Sequence, residues 1–133
     1  MIAVRNIHDP VSDHDGFRVF IEPSWPDDVS IRDAVADLWF RDLAPDPELY
    51  ALFRENRVSW EDFLSRYHEE LDGLGGFITD LMAYVTDGGL TVLHGAQDPE
   101  HNIATALKSY LDRKTAEPSG VVLPVLTLGN SSG

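Results

Sequence analysis

Two periods of apolar spacing organise this chain. Short β-branched runs at Ile2–Ile7, Phe17–Ile21 and Leu90–Ala96 predict strands. Between them, apolar residues recur three and four apart, the spacing of one helix face. Ser30 caps a predicted helix from Ile31 to about Phe40, with Asp33 at the box position and Ala34, Val35, Leu38 and Trp39 on one face. Asp46-Pro47-Glu48 opens a second helix, whose apolar side is Leu49, Leu52 and Phe53. Ser59 opens a third, striped by Trp60, Phe63, Leu64, Tyr67 and Leu71 and ended by Gly73. With Gly75-Gly76 in the connection, a fourth helix is predicted over Phe77–Val85, closed by Gly88-Gly89. After the third strand, Asp98 as N-cap, Pro99 at the first helical position and Glu100 in the first turn write a helix start. Ile103, Ala104, Leu107, Tyr110 and Leu111 form its buried face.

The tail differs. Val121–Leu128 is apolar and β-prone but contains Pro124, so it predicts an edge strand that pairs with the sheet or with another subunit as a homodimer contact. Residues 129–133 are expected to be disordered. The order β-β-α-α-α-α-β-α-β predicts a single α/β domain over residues 1–128. Its sheet is small and mostly parallel, with a large helical insertion between the second and third strands. The Asp9–Gly16 connection is shorter than an ordinary parallel crossover, so the first two strands are either antiparallel or joined by an extended return.

Composition narrows the function classes. The chain has 133 residues and carries 23 acids against 10 bases, a net charge of −13. That charge argues against nucleic acid and anionic membranes as partners. Solubility and genome bias explain it first, and a basic protein partner third. Absent cysteine excludes thiolate metal sites, disulfides and a Cys nucleophile. No leader is apparent at the start, no run spans a bilayer, and a cytoplasmic protein is the expectation.

Candidate chemistry concentrates where the third strand meets the last helix. Free N–H groups and the helix dipole collect there, and His94, His101 and Asn102 add donors, so the junction suits a small anion. Asp98 is read first as a cap. Arg18 stands inside an apolar strand, where it pairs with Asp42 or Asp37 as a staple or faces a pocket. Trp25, outside any helix, is expected partly exposed at the site. The loop containing His8, Asp9, Asp13, His14 and Asp15 matches no metal spacing and is read as a solvated turn. No motif calls for a cofactor, and no nucleophile elbow or phosphate loop is present.

One ordered set of motifs carries a family resemblance. It runs Asp15-Gly16-Phe17-Arg18-Val19, Trp25-Pro26, Asp37-Leu38-Trp39-Phe40-Arg41-Asp42-Leu43-Ala44-Pro45, then Trp60 with Phe63 and Tyr67, then Asp98 with His101-Asn102. Over Arg5 to about Leu111 this resembles the YeaO-like bacterial family, domain of unknown function 488. The resemblance implies a cytoplasmic α/β domain and brings no established activity. Where members usually read Asp-Arg-Leu-Trp-Pro-Arg-Gly, this chain has Glu22-Pro23-Ser24-Trp25-Pro26-Asp27-Asp28. Both arginines are gone, and Gln97 stands where members tend to carry Lys or Arg. Arg18 is the family-motif arginine kept on this strand.

Two readings follow. In one, Arg18, Trp25, His94, Asp98, His101 and Asn102 line a shared pocket for a small anionic ligand at the strand-to-helix edge. In the other, the domain is a non-catalytic interaction module with a degenerate family site.

Overall fold

In the computed structural model, residues 2–116 are described, so the expectations for Val121–Leu128 and for residues 129–133 lie outside the described residues. Four strands, β1 (Ile2–Asn6), β2 (Phe17–Phe20), β3 (Leu38–Trp39) and β4 (Leu90–His94), form one parallel sheet in the order β1-β4-β2-β3. The first two strands are therefore parallel and not neighbours. The chain between them returns extended and leaves the slot between β1 and β2 for β4. At the entry to β2, Gly16 (φ 65°) lies so close to β4 that a Cβ there would stand 2.4 Å from the Gly89 carbonyl oxygen. A glycine is required by both the backbone angle and the approach.

The α/β class holds. The helices are α1 (Ile31–Ala34), α2 (Pro47–Arg54), α3 (Trp60–Asp72), α4 (Gly75–Thr86) and α5 (Ile103–Ala116), with a 3-10 turn at Arg41–Leu43. Ser59 and Asp46 cap α3 and α2 as their sequences predict, each side chain accepting backbone N–H bonds of the first turn. Phe63, Tyr67 and Leu71, one stripe of α3, are fully buried. The Tyr67 hydroxyl donates to the Leu43 carbonyl at 2.6 Å, which ties α3 to the 3-10 turn.

Three local expectations are corrected. The helix predicted to Phe40 ends after one turn, although Ser30 caps it as expected. Val35 turns left-handed (φ 48°) and Leu38–Trp39 become a strand beside β2. The reason is tertiary. The Asp37 carboxylate accepts the Arg18 N–H at 2.8 Å, and Asp37 and Phe40 donate to the Arg18 and Phe20 carbonyls. These bonds to β2 outcompete helix continuation. Gly75-Gly76 begin α4 instead of preceding it. The last helix starts at Ile103, not at Pro99. Asn102 is its cap, donating its own N–H to Thr105 Oγ1 and accepting the Thr105 N–H at 2.9 Å. Asp98 caps only the turn before it.

Strand alternation divides the interior into two. Val19, Ile21, Leu90 and Val92 face a large core shared with α2 to α5. Phe20 and Leu93 face the other side with Ile7 and Ala34. That side is covered by the segment carrying Trp25, Val29, Ala36 and Trp39.

Candidate functional site

In open parallel sheets, sites form outside the carboxyl ends of the strands. Here Glu22 follows β2 and Gly95 follows β4, and they meet. The Gly95 N–H donates to Glu22 Oε2 at 2.6 Å. Beside them a cavity of about 170 Å³ is lined by Glu22, Tyr50, Phe53, Arg54, Gly95, Ala96, Asn102 and Ile103. Arg54 is the cation of this lining, with its guanidinium 5.6 Å from the Tyr50 ring centre. Burial raises the Glu22 carboxyl above its ordinary range, against the Gly95 N–H bond, the Arg54 charge and a hydrogen bond with the Tyr50 hydroxyl. Tyr50 is pushed up to about 12, by burial first and then by the Glu22 charge.

Two hollows flank the cavity. One, about 480 Å³, lies against Pro23, Pro45, Pro47, Tyr50 and Arg54. The other, about 280 Å³, lies against Arg5, Asn6, Asp9, His94 and Gln97. His94 is buried, and its Nδ1 accepts the Ala96 N–H at 3.1 Å, so the ring is neutral with its proton on Nε2. Burial lowers its pKa.

Of the residues expected to line one pocket, His94 borders the hollow beside Arg5 and Gln97, and the rest fall into two groups. Asp98, His101 and Asn102 sit together on the turn into α5. Asp98 Oδ1 accepts the N–H groups of Glu100 (2.9 Å) and His101 (3.2 Å), and Oδ2 stands 3.3 Å from His101 Nδ1. The Glu100 backbone bond first, aided by the His101 backbone bond and the His101 ring, holds the Asp98 carboxyl below its usual range against the opposing effect of desolvation. The His101 ring packs 4.8 Å from Trp60, itself against the large core. Asn102 is buried, and its Nδ2 donates to the Asp98 carbonyl.

Arg18 and Trp25 are elsewhere. Arg18 shares its strand face with Phe20, opposite the large core, and is 3% exposed. Its guanidinium donates to Asp15 Oδ2, to the Val35 carbonyl from Nε (3.0 Å) and to the Ala34 carbonyl from Nη2 (2.9 Å). Its acidic partner is thus Asp15, not Asp37 or Asp42. Burial would raise the Asp15 carboxyl, yet the Ser12 N–H bond and the guanidiniums of Arg18 and Arg5 together hold it below its ordinary value. Trp25 donates from Nε1 to the Val29 carbonyl and packs edge-on to Phe20 and Trp39 on that same face. Arg18 and His101 therefore lie on opposite faces of the sheet and share no pocket.

Sequence reasoning missed Glu22, Tyr50 and Arg54. A glutamate closing a strand immediately before Pro23 was the available signal. Tyr50 and Arg54, four apart on α2, had none. No cluster of three His, Asp or Glu side chains able to hold a metal occurs among the described residues. No helix there is long and apolar enough to cross a membrane.

The chain is 26% identical over 113 residues to the uncharacterised protein YeaO of Escherichia coli (strain K12), covering 83% of this chain and 96% of that one. It is 30% identical over 70 residues to the uncharacterised proteins Rv3073c of Mycobacterium tuberculosis and Mb3100c of Mycobacterium bovis, covering 53% of this chain and 59% of theirs. No solved structure matches. The family model described as the inactive DUF488-N3 subclade matches residues 1–123, and the chain, a divergent YeaO-like protein, belongs to that family.

Proposed function

We propose that this protein is a non-catalytic interaction domain that keeps the family frame while its own side chains fill the strand-end site. One observation carries the reading. Five backbone N–H groups at this junction, those of Gly95, Ala96, Glu100, His101 and Asn102, are bonded to Glu22, His94, Asp98 and Thr105 of the same chain, which leaves an anion only the first-turn N–H groups of Ile103 and Ala104. Glu22 adds a negative charge where an anion would sit.

Two further features agree. Pro23 and Gln97, at positions where the family resemblance puts basic residues, line the two hollows at this rim. The cavity between them is smaller than the roughly 300–1,000 Å³ of ordinary small-ligand sites. The description of the matching subclade as inactive fits the same reading.

The competing reading, a small anionic ligand at this edge, rests on Arg54 and on the half-exposed His101. A thermal-shift series with phosphate, nucleotides and sugar phosphates separates the two, because a ligand of the folded state raises the melting temperature. No shift at millimolar concentration is expected. A saturable shift that disappears in Arg54→Gln would overturn the proposal.

A further inference from the structure

The β3 edge of the sheet carries a groove of about 690 Å³, on the far side of β2 from β4. Leu38, Trp39 and Phe40 of the β3 edge form one wall, and Thr79, Ala83 and Tyr84 of α4 form the other. Phe77 stacks edge-on to Phe40 at 5.2 Å. Among the described residues, the exposed large apolar side chains are Val11, Val35, Leu38 and Phe77. Leu38 lines the groove and Phe77 adjoins it through Phe40. Such clustering marks a binding surface rather than scattered exposure.

The rim is acidic. Asp42, Asp80 and Asp87 line the groove, all three are exposed, and none forms an ion pair among the described residues. The nearby cation, Arg41, lies over the Trp39 ring at 4.7 Å. An apolar floor with unneutralised carboxylates around it is complementary to an apolar stripe flanked by Lys or Arg.

We propose that this groove binds a basic amphipathic helix of another protein. The claim rests on the interaction-domain reading and adds the place and the partner class. Three alternatives fit less well. A β3 of two residues is too short to template an added strand. A second copy facing this one would set the aspartates of one groove against those of the other, on a chain of net charge −13. The chain's own segment 117–133 has one acid and no Lys or Arg to meet the rim. A helix suits the opposite wall, where the small side chains of Thr79 and Ala83 on α4 allow close approach, and its apolar stripe would enter as helix-in-groove partners do.

The test uses the full chain and a fluorescein-labelled peptide with leucines at helical spacing and lysines elsewhere, read by anisotropy. A shuffled peptide of the same composition is the control for charge alone. Saturable binding is expected for the patterned peptide. Asp80→Asn with Asp87→Asn should weaken it about tenfold, and the exposed Ala83→Arg should abolish it. Asp13→Asn with Asp27→Asn removes the same charge away from the groove and should leave affinity within about twofold. The proposal is overturned by absent binding, by equal binding of the shuffled peptide, or by equal loss in both double variants. It is also overturned if Leu123→Ser with Leu126→Ser tightens peptide binding, which would make the tail the occupant. Self-association abolished by Ala83→Arg would make a second copy the occupant. None of these results moves the small-anion thermal shift, so failure here and failure of the interaction-domain reading are separately visible.

Discussion

Glu22 and Gly95 join the ends of two neighbouring strands through a 2.6 Å hydrogen bond from a backbone N–H to a half-buried carboxylate. The contact holds the β2 exit against the β4 exit. It also occupies, with the chain's own acid, the donor that an external anion would need.

That carboxylate sets a pH dependence. Its folded pKa is raised, so folding favours its protonated form. The stability it contributes is full below its ordinary 4.5 and declines as pH rises through the raised value. Glu22→Gln can still accept the Gly95 N–H but cannot ionise. In urea unfolding from the carboxylate range to neutrality, the variant should gain on the parent as pH rises. Parallel curves would count against a Glu22 that ionises at a cost.

Arg18 should be the costliest charged residue to remove. Truncation leaves Asp15 buried without its main cation and two carbonyls without donors. Arg18→Met is expected to lose about 3–5 kcal/mol, as for a broken buried pair. Arg18→Lys should recover only part of this, since an ammonium cannot span Asp15 and two carbonyls as the planar fork does. Denaturant unfolding measures both. Equal stability of the lysine variant and the parent would contradict the forked geometry.

The two caps before α5 should differ. Asn102→Ala removes a buried cap bonded at both ends and should cost about 1–2 kcal/mol. Asp98→Ala, at an exposed turn, should cost less. The reverse order would place the functional helix start at Asp98.

Acid should weaken the fold in two steps. His94 and His68 have pKa values lowered chiefly by burial. The stability they contribute is present above their ordinary 6.5 and is lost as pH falls through the lowered values. Asp15 acts further down. Its depressed pKa gives stability present above 3.8 that is lost as pH falls through the folded value. Histidine titration followed by NMR should show His94 titrating below its ordinary 6.5. An elevated His94 would remove the first step.

The sequence by itself determined the elements whose signals are local. Ser59 and Asp46 announce helices because a cap is satisfied by its own next three residues. The α3 stripe of Phe63, Tyr67 and Leu71 announces its buried face because helical period and burial coincide. The mostly parallel α/β frame followed from the order of those elements, whereas the direction of β1 relative to β2 did not. What the tertiary structure alone decided lies where a distant group settles a local contest. Residues Val35 to Trp39 carry a helical pattern, yet Asp37 and Arg18 bind them to β2. Asp98 and Asn102 are both competent caps, and Asn102 prevails where α5 packs against the core. Strand parity, not composition, put Arg18 on the face opposite the large core, while the turn into α5 set His101 against Trp60 on that core, and no spacing in the chain records which face a later loop will cover.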